Sequence, residues 1–133
     1  MVKEFEALVS HLFVVGGRAV SAPPPGALVQ VAPRRVSRSR ERDAIFVLVL
    51  PSGDQQANAM FYEQMARQVA ERYFASKGGV TVGLRGALDS LNNDLLAHNK
   101  EHPDNPYYAD VLCLVLREEE VYVAKTTASL LLL

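Results

Sequence analysis

The sequence has a single cysteine, no long hydrophobic run and almost no net charge, and each of these shortages excludes a class of protein. Cys113 alone cannot build an internal disulfide framework, which fits a reducing compartment. The apolar runs are far shorter than the roughly 20 residues that span a membrane. A net charge of −1 gives no general attraction to nucleic acid or acidic lipid. We therefore expect a cytoplasmic protein without a nucleic-acid or membrane partner.

The composition is that of a globular domain. The chain has 133 residues, of which 49% are hydrophobic and 22% charged, enough apolar content for one real core. Acidic residues near the start, Glu4 and Glu6, do not fit a secretory leader. We interpret residues 1–133 as a single domain or the N-terminal part of one.

The end of the sequence is a bare apolar stretch. It consists of Leu130, Leu131, Leu132 and Leu133. An apolar strand without a charge or cap after it needs a cover. We expect that cover to come from a homodimer partner or from further polypeptide, which makes these leucines candidates for self-association.

Strands are predicted where apolar, β-branched and aromatic residues run between turn signals. The predicted segments are residues 8–15, 28–32, 44–50, 109–116 and 121–124, with a further strand beginning at 129–133. Segment 44–50 is apolar at every position, which predicts a strand buried on both faces. Gly16-Gly17 and the polar residues 117–120 are typical of turns, and the prolines at 23–25 exclude a helix there.

Two consecutive helices are predicted between these groups of strands. The first covers about residues 57–75, and the second runs to about residue 100 with Thr81 as its cap. The second helix carries leucines at helical spacing, namely Leu84, Leu88, Leu91 and Leu95. Separate runs of strands and helices favour an α+β fold, a mainly antiparallel sheet with both helices on one face. Such a unit is half of an αββα sandwich.

The element order and several short strings resemble the metal-dependent PP2C-type serine/threonine phosphatases. Residues 34–133 match the N-terminal half of that domain, and residues 1–33 form a strand and proline-rich lead-in. An arginine, here Arg38, precedes an acidic triplet that opens a strand, here ending in Asp43. Segment 87–96 is similar to the family's helix with the pattern ALxxxNxxLL, and segment 122–130 occupies the place of its Gly-Asp-Ser-Arg turn.

The metal-binding positions of that family are mostly replaced. By this alignment its first carboxylate is Arg42, its Asp-Gly pair is Leu50-Pro51, and the aspartate of the later turn is Ala128. Only Asp43 is kept as a carboxylate. Hard cations need oxygen ligands, and an arginine at short range repels a dication. The resemblance therefore implies a catalytically inactive domain without bound magnesium or manganese and without another cofactor.

A basic stretch precedes the predicted strand at residue 44. Its candidates for contact with phosphate or a phosphorylated partner are Arg34, Arg35, Arg38 and Arg40. Arginine forks suit phosphate geometry. The ordinary alternative is a solvated strand edge whose charges discourage aggregation.

Two other features have a structural and a functional interpretation. His98 and His102 are spaced to share a helix face and bind a metal, but they also suit the polar end of a helix. Cys113 alternates within an apolar strand without a basic neighbour, which favours a buried thiol over a nucleophile.

Three functions are compatible with the sequence. The first is an inactive PP2C-like regulatory or scaffold module, which binds a protein partner or itself rather than a small-molecule substrate. The second is a self-assembling interaction module of profilin-like or roadblock-like character. The third is a small hydrolase, for which no nucleophile–base or acid pair stands out.

Overall fold

A four-stranded antiparallel sheet carries two α-helices on one face. The computed structural model describes residues 7–126. The main sheet contains β3 (Ala27–Val31), β4 (Asp43–Ser52), β5 (Tyr108–Arg117) and β6 (Glu120–Lys125) in that spatial order. The helices are α1 (Ala59–Ala75) and α2 (Val80–Glu101), and a separate hairpin joins β1 (Phe13–Val15) to β2 (Arg18–Val20). The predicted α+β fold with a mainly antiparallel sheet is confirmed.

The small hairpin explains why the first predicted strand is shorter than expected. Gly16 and Gly17 have positive φ angles of 57° and 78°, which permit a two-residue turn between paired strands. Only residues 13–15 of the predicted segment 8–15 are in β1, because β2 pairs with these three residues alone.

The core lies between the helices and one face of the main sheet. Alternate residues of the two central strands point toward the helices, and the apolar ones that are buried are Ile45, Val47, Val49, Val111, Cys113 and Val115. The helices contribute the residues that cover them, chiefly Tyr62, Met65, Val69, Tyr73, Leu84 and Leu91. The expected burial of Cys113 is confirmed.

The two helices begin in different ways. Asn58 caps α1, since its side-chain oxygen accepts a hydrogen bond from the Phe61 backbone at 3.1 Å. In α2 the cap position is Gly79, which has extended backbone and no side-chain bond. The predicted Thr81 cap is wrong because Val80 is already helical and buried in the core. Neither helix within residues 7–126 is long and apolar enough to cross a membrane.

Strand β4 differs from its prediction in burial. Its residues alternate between buried and half-buried as far as Val49, so one face is covered by the helices and the other is not. The apolar run at 44–50 is thus explained on one face only. The predicted strand at 129–133, with the candidate residues Leu130, Leu131, Leu132 and Leu133, lies outside the described residues.

Candidate functional site

The most extensive candidate site is the face of the main sheet that points away from the helices. We call it the outer face. It is made of three rows of side chains that run across all four strands, as the strand register shows. The rows are Val31, Ala44, Leu116 and Val121; Val29, Phe46, Leu114 and Val123; and Ala27, Leu48, Leu112 and Lys125.

The rows are apolar at every position except Lys125. Opposite residues in an antiparallel sheet lie close together, so the first two rows form continuous apolar ridges across the sheet and the third does so as far as Leu112. The valines of the two outer strands are strongly exposed, with Val29 at 46% and Val123 at 42% of full exposure. A sheet with water on one face normally has polar residues there. This face has the composition of an interior, yet its central residues such as Phe46 and Leu114 are only half-buried and its edge valines are exposed.

A segment before the first hairpin forms one margin of the outer face. Ala7, Leu8, Val9 and His11 line an open trough of about 550 Å³ together with outer-face residues. Leu8 is fully exposed and Leu12 almost so, which means that this segment borders the trough and does not fill it. The result is a wide apolar groove, suited to a second layer of protein.

A buried polar cluster lies at the beginning of β4, where the sequence predicts phosphate contact. Asp43 is on the helix-facing side of the strand, directly opposite Arg117 of β5. Its carboxylate oxygens accept hydrogen bonds from Arg117 Nε at 2.6 Å, Arg117 Nη2 at 2.8 Å and the Tyr73 hydroxyl at 2.6 Å. The Asp43 side chain is completely buried, whereas that of Arg117 is 27% exposed.

These contacts change the protonation chemistry of the cluster. Burial, and then the hydrogen bond to Asp43, raises the pKa of Tyr73, so its hydroxyl stays protonated and donates. The hydrogen bond to Asp43 also raises the pKa of Arg117. Both carboxylate oxygens of Asp43 thus accept hydrogen bonds from two residues of its own chain, Arg117 and Tyr73. Among residues 7–126, no group of three or more His, Cys, Asp or Glu side chains is arranged to hold a metal ion.

Arg40 is buried instead of facing a ligand. Its guanidinium donates to the backbone oxygens of Tyr73 at 3.3 Å, Gly78 at 3.0 Å and Gly79 at 3.2 Å, and to Ser76 Oγ at 3.1 Å. It also lies over the Tyr73 ring, 4.4 Å from the centroid. These acceptors belong to the end of α1 and the connection to α2, where a cation complements the negative end of the helix dipole.

Gly83 of α2 provides the space that Arg40 needs. A Cβ atom at this position would lie 2.5 Å from Arg40 Nη2 and 2.8 Å from Ser76 Oγ. The glycine is thus part of the enclosure around this cation.

The remaining candidates for phosphate contact lie on the surface and not in the buried polar cluster. Arg34, Arg35 and Arg38 are exposed, and Arg38 begins the 3₁₀ turn Arg38–Arg40 that carries Arg40 inward. Arg42 is exposed and forms an ion pair with Glu118. Phosphate contact by the exposed arginines stays a prediction from the sequence.

The two histidines pack as rings. His98 and His102 stack with centroids 4.5 Å apart, and Tyr107 stacks on His98 at 4.9 Å. Asn99 holds the backbone of Tyr107 through two hydrogen bonds of 2.9 Å. This arrangement attaches the end of α2 to the loop before β5, which agrees with the structural interpretation of the pair.

Cys113 is not a nucleophile in this arrangement. Burial raises the pKa of its thiol to about 12, so the reactive thiolate is negligible near neutral pH. It faces the helices between Val111 and Val115 and serves as a core side chain.

The sequence predicts a sheet with both helices on one face, but it does not identify the rows of side chains that make up the outer face. Its signal was present, since residues 44–50 and 111–116 are apolar at successive positions and not only at alternate ones. The predicted placement of both helices on one face of the sheet is confirmed, whereas the strand register that aligns the three rows could not be predicted from the sequence. In comparisons with known proteins, no family model, no curated protein and no solved structure matches this chain.

Proposed function

We propose that this chain is a non-catalytic interaction module, a regulatory or scaffold domain that binds another protein layer through its outer face. The observation that carries the proposal is the set of three apolar rows on the uncovered side of the sheet. Covering an apolar surface stabilises an assembly by about 25 cal/mol for each Å² removed from water. A face of this kind gains most from a partner that is itself a flat apolar layer.

The polar cluster supports the non-catalytic part of the proposal. The carboxylate at the one retained family position, Asp43, accepts three hydrogen bonds from Arg117 and Tyr73. A divalent ion at Asp43 would have to displace a guanidinium that is already bound. Arg42 adds a second positive charge two sequence positions from the buried Arg40. The cluster therefore joins the beginning of β4 to the end of β5.

We expect the purified chain not to hydrolyse p-nitrophenyl phosphate faster than buffer in the presence of manganese or magnesium. The physical reason is that the positions of the metal ligands hold Arg42, Leu50-Pro51 and Ala128, and Asp43 is occupied. The measurement is absorbance of the released nitrophenol at several metal concentrations. Manganese-dependent hydrolysis that follows the folded protein through purification would contradict the non-catalytic function.

We expect an apolar dye, such as anilinonaphthalene sulfonate, to bind the outer face of the dilute protein. Fluorescence should rise with the wild type and fall toward that of free dye with Leu114→Lys, because a charge then stands in the middle row. Val82→Lys is the matched control, since Val82 is 67% exposed on α2 and away from the outer face. Equal dye binding by all three proteins, or by none, would remove the outer face as the binding surface.

A further inference from the structure

We infer that the partner of the outer face is a second copy of the same chain, packed face to face as a two-sheet sandwich about a two-fold axis. This inference rests on the proposed function of the outer face as a binding surface. In the dimer the helices of both copies lie outside and the apolar rows meet in the middle. Aligned sheets of this kind pack about 10 Å apart with interdigitated side chains.

The outer face is complementary to itself. An interface about a two-fold axis places the same patch on both partners, so the patch must tolerate its own copy. The middle row, Val29, Phe46, Leu114 and Val123, has neither charge nor hydrogen-bonding side chain. A rotated copy therefore meets an apolar row wherever it lands near the centre. Like charges do not oppose each other there.

The charges of the outer face lie at one end of the sheet. Lys125 is opposite Leu112, and Asp110 is two residues from Leu112 on the same side of β5. Both are therefore at the rim of the apolar area, and each has a polar or electrostatic interaction within the chain. An apolar centre with a polar rim is the usual anatomy of a specific interface. The chain's net charge of −1 adds little repulsion between copies.

The size of the outer face is sufficient for a dimer of moderate affinity. The two central strands have ten residues each and the flanking strands five and six. With strands about 4.8 Å apart and about 3.4 Å per residue, the face covers on the order of 500 Å². Two copies then bury on the order of 1,000 Å², which is the lower range for a specific interface. We therefore expect a dimer that dissociates reversibly on dilution.

Sedimentation velocity of the full chain over roughly 1 to 100 µM tests the inference. The wild type should shift from the 14.6 kDa monomer to twice that mass as concentration rises. Leu114→Lys at the centre and Val29→Lys at the edge of the middle row should each weaken dimerisation at least about tenfold. Val82→Lys should leave it unchanged. Circular dichroism tests whether each variant is folded. If Leu114→Lys does not fold, Val29→Lys alone is the test of the interface.

The outcomes separate this inference from the proposed function. A wild type that stays monomeric overturns the inference that the partner is a second copy. If this monomer binds the dye and Leu114→Lys does not, the outer face binds a different protein. A monomer that binds no dye overturns both. A dimer that resists both outer-face lysines also overturns the inference, because its contact then lies elsewhere, such as the edge of β6 or β3 that pairs with no strand within residues 7–126.

Discussion

Replacing Arg40 with alanine is expected to lower the free energy of unfolding by about 3 to 5 kcal/mol, because a buried acceptor that loses its donor costs about 1 to 3 kcal/mol and the cavity adds to that loss. Arg40 is completely buried, and its guanidinium donates to three backbone oxygens and one hydroxyl of the α1–α2 connection. The alanine variant removes four hydrogen bonds, which include those to the Gly78 and Gly79 carbonyls, and opens a cavity beside Gly83. Urea denaturation followed by circular dichroism measures the loss.

The chain contains a matched control for this experiment. Arg38 lies in the same 3₁₀ turn, two residues earlier, and is exposed. Arg38→Ala should change the free energy of unfolding by less than about 0.5 kcal/mol. Arg40→Lys should recover only part of the loss, because an ammonium group lacks the planar fork of donors with which the guanidinium reaches four acceptors. Equal effects of the two alanine substitutions would show that Arg40 does not hold the helix connection.

Replacing Asp43 with asparagine is expected to cost about 3 kcal/mol of stability, at the lower end of the range for breaking a buried ion pair. The amide has one acceptor oxygen where the carboxylate has two, and its NH₂ group would face the guanidinium of Arg117. The Tyr73 hydroxyl and the Arg117 guanidinium would then compete for that oxygen. The same urea titration measures the change, and Asp54→Asn in the exposed loop after β4 is the control.

A double substitution tests whether the cost comes from the pair. Arg117→Met removes the cation, and combined with Asp43→Asn it leaves no unmatched charge in the cluster. We expect the double variant to lose clearly less stability than the sum of the single variants. If the losses of the two single variants were additive, the prediction that Asp43 and Arg117 stabilise the fold as an ion pair would be contradicted. A carboxylate kept only for a metal would behave differently, since Asp43→Asn would then leave the stability of the metal-free protein unchanged.

The sheet and its helices were accessible to sequence reasoning because their patterns are local. Segments 44–50, 109–116 and 121–124 lie within β4, β5 and β6, and the predicted helix at 57–75 ends with α1 at Ala75. The main error in the helices was the start of α2. A threonine before an apolar stripe favours a cap, but burial of Val80 brings the helix start forward.

The polar cluster was accessible only in part. Asp43 and Arg40 stand out in the sequence as charges next to an apolar strand, yet Arg40 was interpreted as a candidate for phosphate contact and Asp43 only as a carboxylate kept from the resembled family. Arg117, the main partner of Asp43, was predicted to lie in a turn. Its contact with Asp43 depends on strand register over 74 positions, and no local pattern encodes that register.

By itself, the sequence determined which segments become strands and helices and that the class is α+β, because hydrophobic periodicity, prolines and glycines act over a few residues. Only the tertiary structure decided which charges are buried and which apolar residues are exposed. Both helices cover one side of the sheet, so the apolar residues of the other side, from Val29 to Val123, form a surface. Burial is a property of packing between distant segments, and it is this property that leaves the apolar residues of the outer face as a surface.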